Sequence, residues 1–316
     1  MDFSDTKPLI LICGPTGVGK SSLSVKLAKR IGGEIISADS VQVYKGLNIG
    51  SAKITKEEMA GVPHYLIDVL EPDESFGVDI FQKMAKEAIS EIYKNNHIPI
   101  VCGGTAFYIQ ALLYDIDFTE EEALDHTYRD SLLEMGETLE GSKELWERLN
   151  SIDPEYAGIT HFNNVKRVAR ALEYHYNTGR LFSQYNREQA NRKSSYNHTY
   201  FAITDNREAL YERINMRVDK MAEEGLVEEV RELLNQGYSS NLNSLSSIGY
   251  KEICSYLSGE CSYEEALENI KKNSRHYAKR QLTWLRRERD VIFVNREKFE
   301  SEEAILDYME GNIRKG

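Results

Sequence analysis

The chain has 316 residues, of which 41% are hydrophobic and 28% are charged, enough for one large or two modest domains. No stretch approaches about 18 uninterrupted apolar residues, so a membrane-spanning helix is not expected. The start of the chain, MDFSDTKPLI, lacks the basic and apolar regions of a secretion signal, so we expect a cytoplasmic protein. The net charge of −12 argues mildly against a nucleic-acid partner.

Residues 1 to about 115 alternate short apolar runs with helical patterns. Residues 9–13, 34–37 and 98–102 are typical of buried strands, and helical segments lie between and after them. This order predicts an α/β fold with a doubly wound parallel sheet.

The pattern changes near residue 115, where the acidic, aperiodic stretch DIDFTEEEALD begins. Residues 128–192 have a helical pattern with aromatic and basic residues intermixed, and residues 200–204 resemble another strand. We therefore expect residues 116–199 to form a helical domain inserted into a core of residues 1–115 and 200–316. Beyond residue 205 the pattern is helical, and Ser262 with Glu265 has the spacing of a capping box that opens a long final helix. Along this helix, the predicted core-facing apolar stripe consists of Tyr263, Leu267, Ile270, Tyr277 and Trp284.

The first candidate site is GPTGVGKS, which has the P-loop spacing G-x-x-x-x-G-K-[ST] between a predicted strand and a predicted helix. In such a loop, backbone N–H groups surround a di- or triphosphate, the lysine supplies a positive charge, and the final hydroxyl can ligate Mg²⁺. With this loop after its first strand, the predicted sheet is P-loop NTPase-like. Kinases, hydrolases and other transferases all use this loop. The predicted anion-binding residues are Gly14, Pro15, Thr16, Gly17, Val18, Gly19, Lys20 and Ser21.

Three further residues are expected near that loop. Asp39 and Thr105 follow predicted parallel strands, whose carboxyl ends face a common crevice. Asp39 could accept a proton or hold Mg²⁺ through water, or it could cap the next segment; Thr105 could contact substrate or only cap a helix. Arg217 shares the spacing of an apolar helix stripe, which favours either an anionic ligand or a buried carboxylate partner. Asp68, after the apolar residues 65–67, is a weaker candidate for Mg²⁺ binding.

Positive charge is concentrated in two segments of this acidic chain. Residues 163–193 contain seven basic and two acidic residues, and residues 271–289 contain eight basic and one acidic residue. Such segments are typical of a polyanion-binding surface, although two ordinary solvated helix faces would look the same.

Together these segments resemble the tRNA dimethylallyltransferases, also called tRNA isopentenyltransferases, over nearly the whole chain. Eight motifs occur in the family's order: GPTGVGKS, DSVQVYKGLNIGSAK, PHYLID, CGGTAFYIQALL, RVARALE, LYERINMRVDKMAEEGL, SIGYKE and YAKRQLTWLRR. The resemblance implies transfer of a dimethylallyl group from dimethylallyl diphosphate to the N6 amine of adenosine 37, in tRNAs that read U-starting codons. It also implies Mg²⁺ as cofactor, held by Ser21, and a tRNA anticodon stem-loop as partner; a monomer is the default.

The resemblance assigns roles to the candidate residues. The P-loop would bind the donor's diphosphate, Asp39 would accept a proton from the adenine amine, and Thr105 and Arg217 would hold the diphosphate or the reacting centre. The implied tRNA-contact residues are Asp39, Ser40, Val41, Gln42, Thr105, Asn163, Asn164, Val165, Lys166, Arg167, Ser246, Ser247, Ile248, Gly249, Tyr250 and Lys251.

The chain departs from the family pattern in two places. The usual His-Pro-Asn-Asp before RVARALE is here His161-Phe162-Asn163-Asn164, which puts the local tRNA contacts in question, and the usual Thr of IGTAK is Ser51, which keeps the hydroxyl. Three other functions stay open on the sequence. They are an adenylate isopentenyltransferase, a P-loop small-molecule kinase, and a non-catalytic RNA-binding protein.

Overall fold

The computed structural model describes residues 7–116, 118, 127–190 and 192–313, and they fall into two compact units. The first contains residues 1–113 and 194–316, and the second contains residues 114–193. The acidic stretch at residues 115–125 lies largely outside the described residues. Within the described part of the chain, no helix is long and apolar enough to cross a bilayer.

A six-stranded sheet forms the centre of the first unit, and every adjacent strand pair in it is parallel. Its order is β3-β2-β4-β1-β5-β6, which is the predicted doubly wound α/β arrangement. The strands are β1 (Pro8–Cys13), β2 (Gly33–Ala38), β3 (His64–Tyr65), β4 (Ile98–Gly103), β5 (Asn197–Thr204) and β6 (Val291–Asn295).

The strand register explains why distant segments share one crevice. Gly103 at the end of β4 pairs with Ala38 at the end of β2 and with Cys13 at the end of β1. The backbone therefore leaves β1, β2 and β4 side by side. Their next residues begin the three segments in which the candidate P-loop, Asp39 and Thr105 lie.

Helices pack against the sheet and against one another. In chain order they are α1 (Lys20–Ile31), α2 (Lys56–Met59), α3 (Val78–Lys94), α4 (Ala106–Leu113), α10 (Arg207–Glu223), α11 (Leu226–Asn235), α12 (Tyr250–Leu257), α13 (Tyr263–Leu285) and α14 (Glu302–Ile313). Leu23 and Leu27 of α1 pack with sheet residues such as Ile12 and Ile100 in one core cluster. A second cluster joins Val43 and Leu47 to apolar residues of α10 to α13.

The second unit contains five helices in its described part: α5 (Thr127–Met135), α6 (Leu139–Ile152), α7 (Pro154–Gly158), α8 (Val165–Thr178) and α9 (Phe182–Ala190). Leu145, Leu149 and Leu172 lie in its core. Buried Asp153 accepts hydrogen bonds from the backbone N–H groups of Tyr156 and Ser183, at 3.1 and 2.7 Å, which ties α7 to α9.

The C-terminal part of the first unit differs from the sequence prediction. The capping box at Ser262 and Glu265 is present, but α13 is not the final helix, because β6 and α14 follow it. β6 pairs with β5 as an edge strand of the sheet. α14 packs on α1, where Arg30 forms ion pairs with Glu303 and Asp307.

Candidate active site

The candidate P-loop turns through two glycines and ends at the start of α1. Gly17 and Gly19 have φ values of 79° and 86°, a left-handed conformation that favours glycine. Lys20 is the first residue of α1, and its ammonium donates to the Pro15 carbonyl at 3.2 Å. Burial lowers the pKa of Lys20, and the nearby Arg217 guanidinium lowers it further. An anion in the loop would relieve both effects.

Two arginines donate hydrogen bonds to backbone carbonyl groups of the loop. Arg213 donates from Nε to the Gly17 carbonyl at 3.0 Å and pairs with Asp205 at 2.5 Å. Arg296, which follows β6, donates to the Val18 carbonyl at 3.4 Å. These contacts satisfy outward-facing carbonyl groups, and they help fix the loop conformation.

Asp39 caps the segment that follows it, which was one of the roles that the sequence left open. Its Oδ1 accepts from the backbone N–H groups of Val41 and Gln42, at 2.9 and 3.3 Å. Among the described residues, no hydrogen-bond donor contacts Oδ2. The turn therefore uses one oxygen and orients the carboxylate, while the other oxygen remains for a proton or a ligand.

Thr105 lies between β4 and α4, at the edge of the same crevice. Its backbone N–H donates to the Ala38 carbonyl at 3.3 Å, and its carbonyl accepts from the Tyr108 N–H at 3.0 Å. The hydroxyl of Tyr277, on α13, lies against the Thr105 side chain. Burial raises the pKa of Tyr277, and Asp39 raises it further, so its hydroxyl stays protonated at neutral pH.

Arg217 connects the P-loop to the segment after β2. Its Nη1 donates to the Thr16 hydroxyl at 3.2 Å, and its Nη2 donates to the Ser51 carbonyl at 3.1 Å. No carboxylate of the described residues forms an ion pair with it, so the buried-carboxylate alternative is not what the structure contains. Burial lowers the pKa of Arg217, and the Asp39 carboxylate acts in the opposite direction.

A cavity of about 330 Å³ brings several of these groups together, although Lys20 and Thr105 are not among the residues that line it. Thr16, Asp39 and Arg217 line it with Tyr277 and Arg280. The apolar part of its lining consists of Val41, Ile214, Val218, Met221, Ile248 and Ile270. The cavity therefore combines cations, one carboxylate and an apolar wall.

Glu229 braces the segment that receives Arg217. Its carboxylate accepts from the backbone N–H groups of Asn48, Ile49 and Gly50, at 2.7 to 3.1 Å, and from the Tyr250 hydroxyl at 2.7 Å. These bonds hold the backbone directly before Ser51.

The predicted contact residues at 246–251 have mixed exposure. Ser246 and Lys251 are exposed, and Ser246, Ser247 and Ile248 line the cavity. Gly249 and Tyr250 are buried, and Tyr250 is 0% exposed. Their side of this segment faces the protein core, so of the predicted contacts Gly249 and Tyr250 have the least access to a nucleic acid.

In the second unit, the predicted segment at 163–167 leads into α8. Asn163, Asn164, Lys166 and Arg167 are exposed, whereas Val165 packs against the core of this unit. Beside the segment, the rings of His161 and Phe162 stack with centroids 4.3 Å apart. The helix α8 that follows, Val165–Thr178, lies within the predicted helical segment.

Asp68 has a partner of its own. It forms an ion pair with Lys53, which also donates to the Tyr44 carbonyl at 2.6 Å. It does not line the cavity described above. We therefore assign it to the local turn.

Some residues of the site were not predicted. The sequence pattern placed Tyr277 on an apolar stripe with Tyr263, Leu267, Ile270 and Trp284. Of these, Ile270 is buried, and the other buried residues of α13 are Ala266, Ala278, Gln281 and Leu285. Gln281 contacts both the P-loop and the β4–α4 loop. A polar residue at helical spacing from Ala278 and Leu285 was the available signal.

The fold and this geometry define a P-loop-like α/β protein whose glycine-rich loop contributes Thr16 to a partly apolar cavity. Comparison with known families is more specific. The model of the IPP transferase family matches residues 42–288. The chain therefore belongs to the IPP transferase family, which is a family of prenyltransferases.

Individual relatives agree with this assignment. A protein of Lachnoclostridium phytofermentans named tRNA dimethylallyltransferase is 52% identical over 303 residues, 96% of each chain. The crystal structure of a tRNA delta(2)-isopentenylpyrophosphate transferase from Staphylococcus epidermidis is similar with a TM-score of 0.72 and 43% identity, over 98% of this chain and 100% of that one. A crystal structure of a eukaryotic dimethylallyltransferase acting on tRNA is similar with a TM-score of 0.77 and 30% identity, over 92% and 74%.

Proposed function

We propose that this enzyme transfers the dimethylallyl group of dimethylallyl diphosphate to the N6 amine of adenosine 37 in tRNAs that read U-starting codons. The products are N6-isopentenyladenosine and diphosphate. The observation that carries the proposal is the cavity in which Asp39, Arg217 and the P-loop residue Thr16 share a lining with apolar side chains. Its apolar wall suits a five-carbon tail, and its cations suit a diphosphate.

The donor's diphosphate would lie in the P-loop, at the N-terminus of α1. The loop of residues 14–21 turns its backbone there, and Lys20 and Arg217 supply positive charge. As the carbon–oxygen bond of the donor lengthens, negative charge collects on the leaving diphosphate. Groups placed where that charge develops each contribute about 10²–10³ in rate.

Mg²⁺ is the expected cofactor, and the groups at the loop suit it. Ser21 is exposed on the first turn of α1, beside Lys20, and offers a hydroxyl oxygen. Among the described residues, no group of three His, Cys, Asp or Glu side chains could hold a metal by itself. Mg²⁺ prefers oxygen ligands and usually keeps water and substrate phosphates among them. When bound, it would neutralise part of the diphosphate charge.

Asp39 would act on the acceptor. The lone pair of an adenine amine is delocalised into the ring, so the amine becomes a good nucleophile only as its proton leaves. In the transfer, a bond forms between N6 and the donor carbon that carries the diphosphate. The bond between that carbon and the diphosphate oxygen breaks, and the amine proton passes to Asp39. Its Oδ2 is the oxygen available for that proton, since Oδ1 is held by the turn.

The acceptor base must leave the anticodon-loop stack to reach the cavity, at a cost of roughly a few kcal/mol. We infer that the helical unit contacts the anticodon stem-loop through the segment at 163–167, and that exposed Lys279 and Arg286 of α13 add contacts with the RNA backbone. Lys166, Arg167, Lys279 and Arg286 are exposed, and no ion pair within the described ranges engages them. We further propose that the enzyme works as a cytoplasmic monomer.

A comparison of acceptors tests the proposal. With dimethylallyl diphosphate and Mg²⁺, the purified protein should prenylate an unmodified tRNA with adenosine at positions 36, 37 and 38, and a matching anticodon stem-loop. The same tRNA with guanosine at position 37 is the control and should remain unlabelled. Incorporation is measured with donor labelled in the prenyl group, followed by nuclease digestion and mass spectrometry.

The same assay separates the alternatives. Efficient prenylation of AMP without prenylation of tRNA would identify an adenylate isopentenyltransferase. ATP turnover on a small acceptor, with unincorporated donor, would identify a kinase.

A second test concerns the exposed cations. Neutralising Lys166, Arg167, Lys279 and Arg286 should make tRNA binding less dependent on salt, by about 1 in the log–log slope for each lost phosphate contact. Lys94→Ser is the control, because Lys94 is also exposed but already pairs with Glu91. Filter binding of tRNA between low and moderate salt measures the slope. An unchanged slope in the quadruple variant would mean that the basic segments at 163–193 and 271–289 are solvated helix faces that do not bind RNA.

A further inference from the structure

Gln281 of α13 connects two loops of the candidate active site. Its Oε1 accepts from the Thr16 backbone N–H at 2.9 Å, and its Nε2 donates to the Gly104 carbonyl at 3.0 Å. Thr16 belongs to the P-loop, and Gly104 directly precedes Thr105. One side chain thus joins the segments that leave β1 and β4.

The environment of Gln281 requires both of these hydrogen bonds. The residue is 6% exposed, between Ala278 and Leu285 on the buried side of its helix. A buried polar group without a partner is costly, so an amide is expected here only where both of its ends are satisfied. The glutamine amide supplies a donor and an acceptor at this length without carrying a charge. Glutamate has the same shape but would place an oxygen against the Gly104 carbonyl.

Thr16 is where this bridge meets Arg217. Its backbone N–H binds Gln281, and its hydroxyl accepts from Arg217 Nη1 at 3.2 Å. The position of Thr16 therefore depends on α13 as well as on α10.

The close approach at Gly104 fixes the other end of the bridge. A Cβ atom at Gly104 would lie 2.0 Å from Gln281 Nε2, so a side chain there would displace the amide. The hydrogen bond is possible because residue 104 is glycine.

We propose that Gln281 is a positioning residue that holds the P-loop at Thr16 against the β4–α4 loop, so that helix α13 sets the geometry of the diphosphate site. The inference rests on the proposed function, which supplies diphosphate as the ligand. Gln281 acts through Thr16 and the Gly104 backbone.

Gln281→Met tests the role without introducing charge. It should weaken binding of inorganic diphosphate with Mg²⁺ about tenfold, the effect of losing roughly one net hydrogen bond. The KM for dimethylallyl diphosphate should rise by a similar factor, while tRNA affinity stays within twofold of the wild-type value. Titration calorimetry and steady-state kinetics measure these effects. Gln236→Met, at an exposed position after α11, is the control and should change neither.

Two further variants separate positioning from general stability. Gly104→Ala should displace the Gln281 amide and weaken diphosphate binding as Gln281→Met does. Thr16→Val removes the hydroxyl that binds Arg217, and its effect on diphosphate binding should be smaller in the Gln281→Met background than in the wild type. Strictly additive effects, or diphosphate binding by Gln281→Met within twofold of wild type, would overturn the inference.

The result is distinguishable from failure of the proposed function. If the wild type binds diphosphate but does not prenylate tRNA, and Gln281→Met still weakens diphosphate binding, the proposed reaction fails and the positioning role stands. If the wild type prenylates tRNA and Gln281→Met binds diphosphate normally, only the positioning role fails.

Discussion

Asp39→Asn should lower the rate of prenyl transfer by about 10²–10⁴, the range typical of losing a general base. Asparagine keeps a side-chain oxygen that can accept from the N–H groups of Val41 and Gln42, so the turn should survive. It loses the carboxylate that would take the amine proton. Single-turnover measurements with saturating tRNA and labelled donor report the transfer step directly, and tRNA affinity should change little.

Two companion variants make this result specific. Asp39→Ala also removes the turn acceptor, so it should lower the melting temperature as well as the rate. Asp73→Asn, at an exposed position, removes the same charge and should leave the rate unchanged. If Asp39→Asn transfers the prenyl group at the wild-type rate, Asp39 is only a turn residue, and the proton must go elsewhere.

The fold was predictable because its central strands carry strong local signals. The apolar runs at residues 9–13, 34–37 and 98–102 each correspond to an observed strand that is one or two residues longer at most. β3 has only two residues, too few to show a pattern. β6 follows the basic run at the end of α13 and lies at the sheet edge, where Phe293 is 46% exposed. Its pairing with β5 is a long-range property that no local pattern contains.

The sequence did not predict correctly which face of α13 is buried. The prediction followed the large side chains Tyr263, Tyr277 and Trp284, because large apolar residues usually face a core. The helix instead buries the small residues Ala266 and Ala278, which permit close packing against its neighbours. Because the helix buries a different face from the predicted one, Tyr277 lies beside Thr105 in the candidate site, whereas the prediction placed it in the core.

Site residues that directly follow a strand could be located from the sequence. Hydrogen-bond partners that are backbone atoms could not. Asp39 and Thr105 were located from their positions after β2 and β4. Arg217 was suggested by its helical spacing, but its acceptors are a P-loop hydroxyl and the Ser51 carbonyl. Backbone acceptors depend on the folded path of the chain. Gln281 bonds to Thr16 across 265 residues, which no spacing rule could reveal.

Arg217→Met should reduce kcat/KM for dimethylallyl diphosphate by about 10²–10³, the effect of losing a cation placed where negative charge develops. Arg217→Lys should be intermediate. It keeps the charge, but an ammonium cannot easily span Thr16 and Ser51 as the planar guanidinium does. Lys220→Met, on the same helix and exposed beside Glu224, is the matched control and should retain wild-type kinetics.

Diphosphate binding distinguishes an electrostatic role for Arg217 from a bracing role. If the guanidinium stabilises the leaving group, Arg217→Met should weaken binding of inorganic diphosphate with Mg²⁺, whereas tRNA affinity and the melting temperature should change little. If it only braces the segment at Ser51, the melting temperature should fall and diphosphate binding should persist. We expect the electrostatic result, because Glu229 already holds the backbone of Asn48, Ile49 and Gly50 before Ser51. Among the residues described, no carboxylate lies within ion-pair distance of Arg217, although the Asp39 carboxylate lines the same cavity. We therefore expect an anionic ligand to be the partner of its charge.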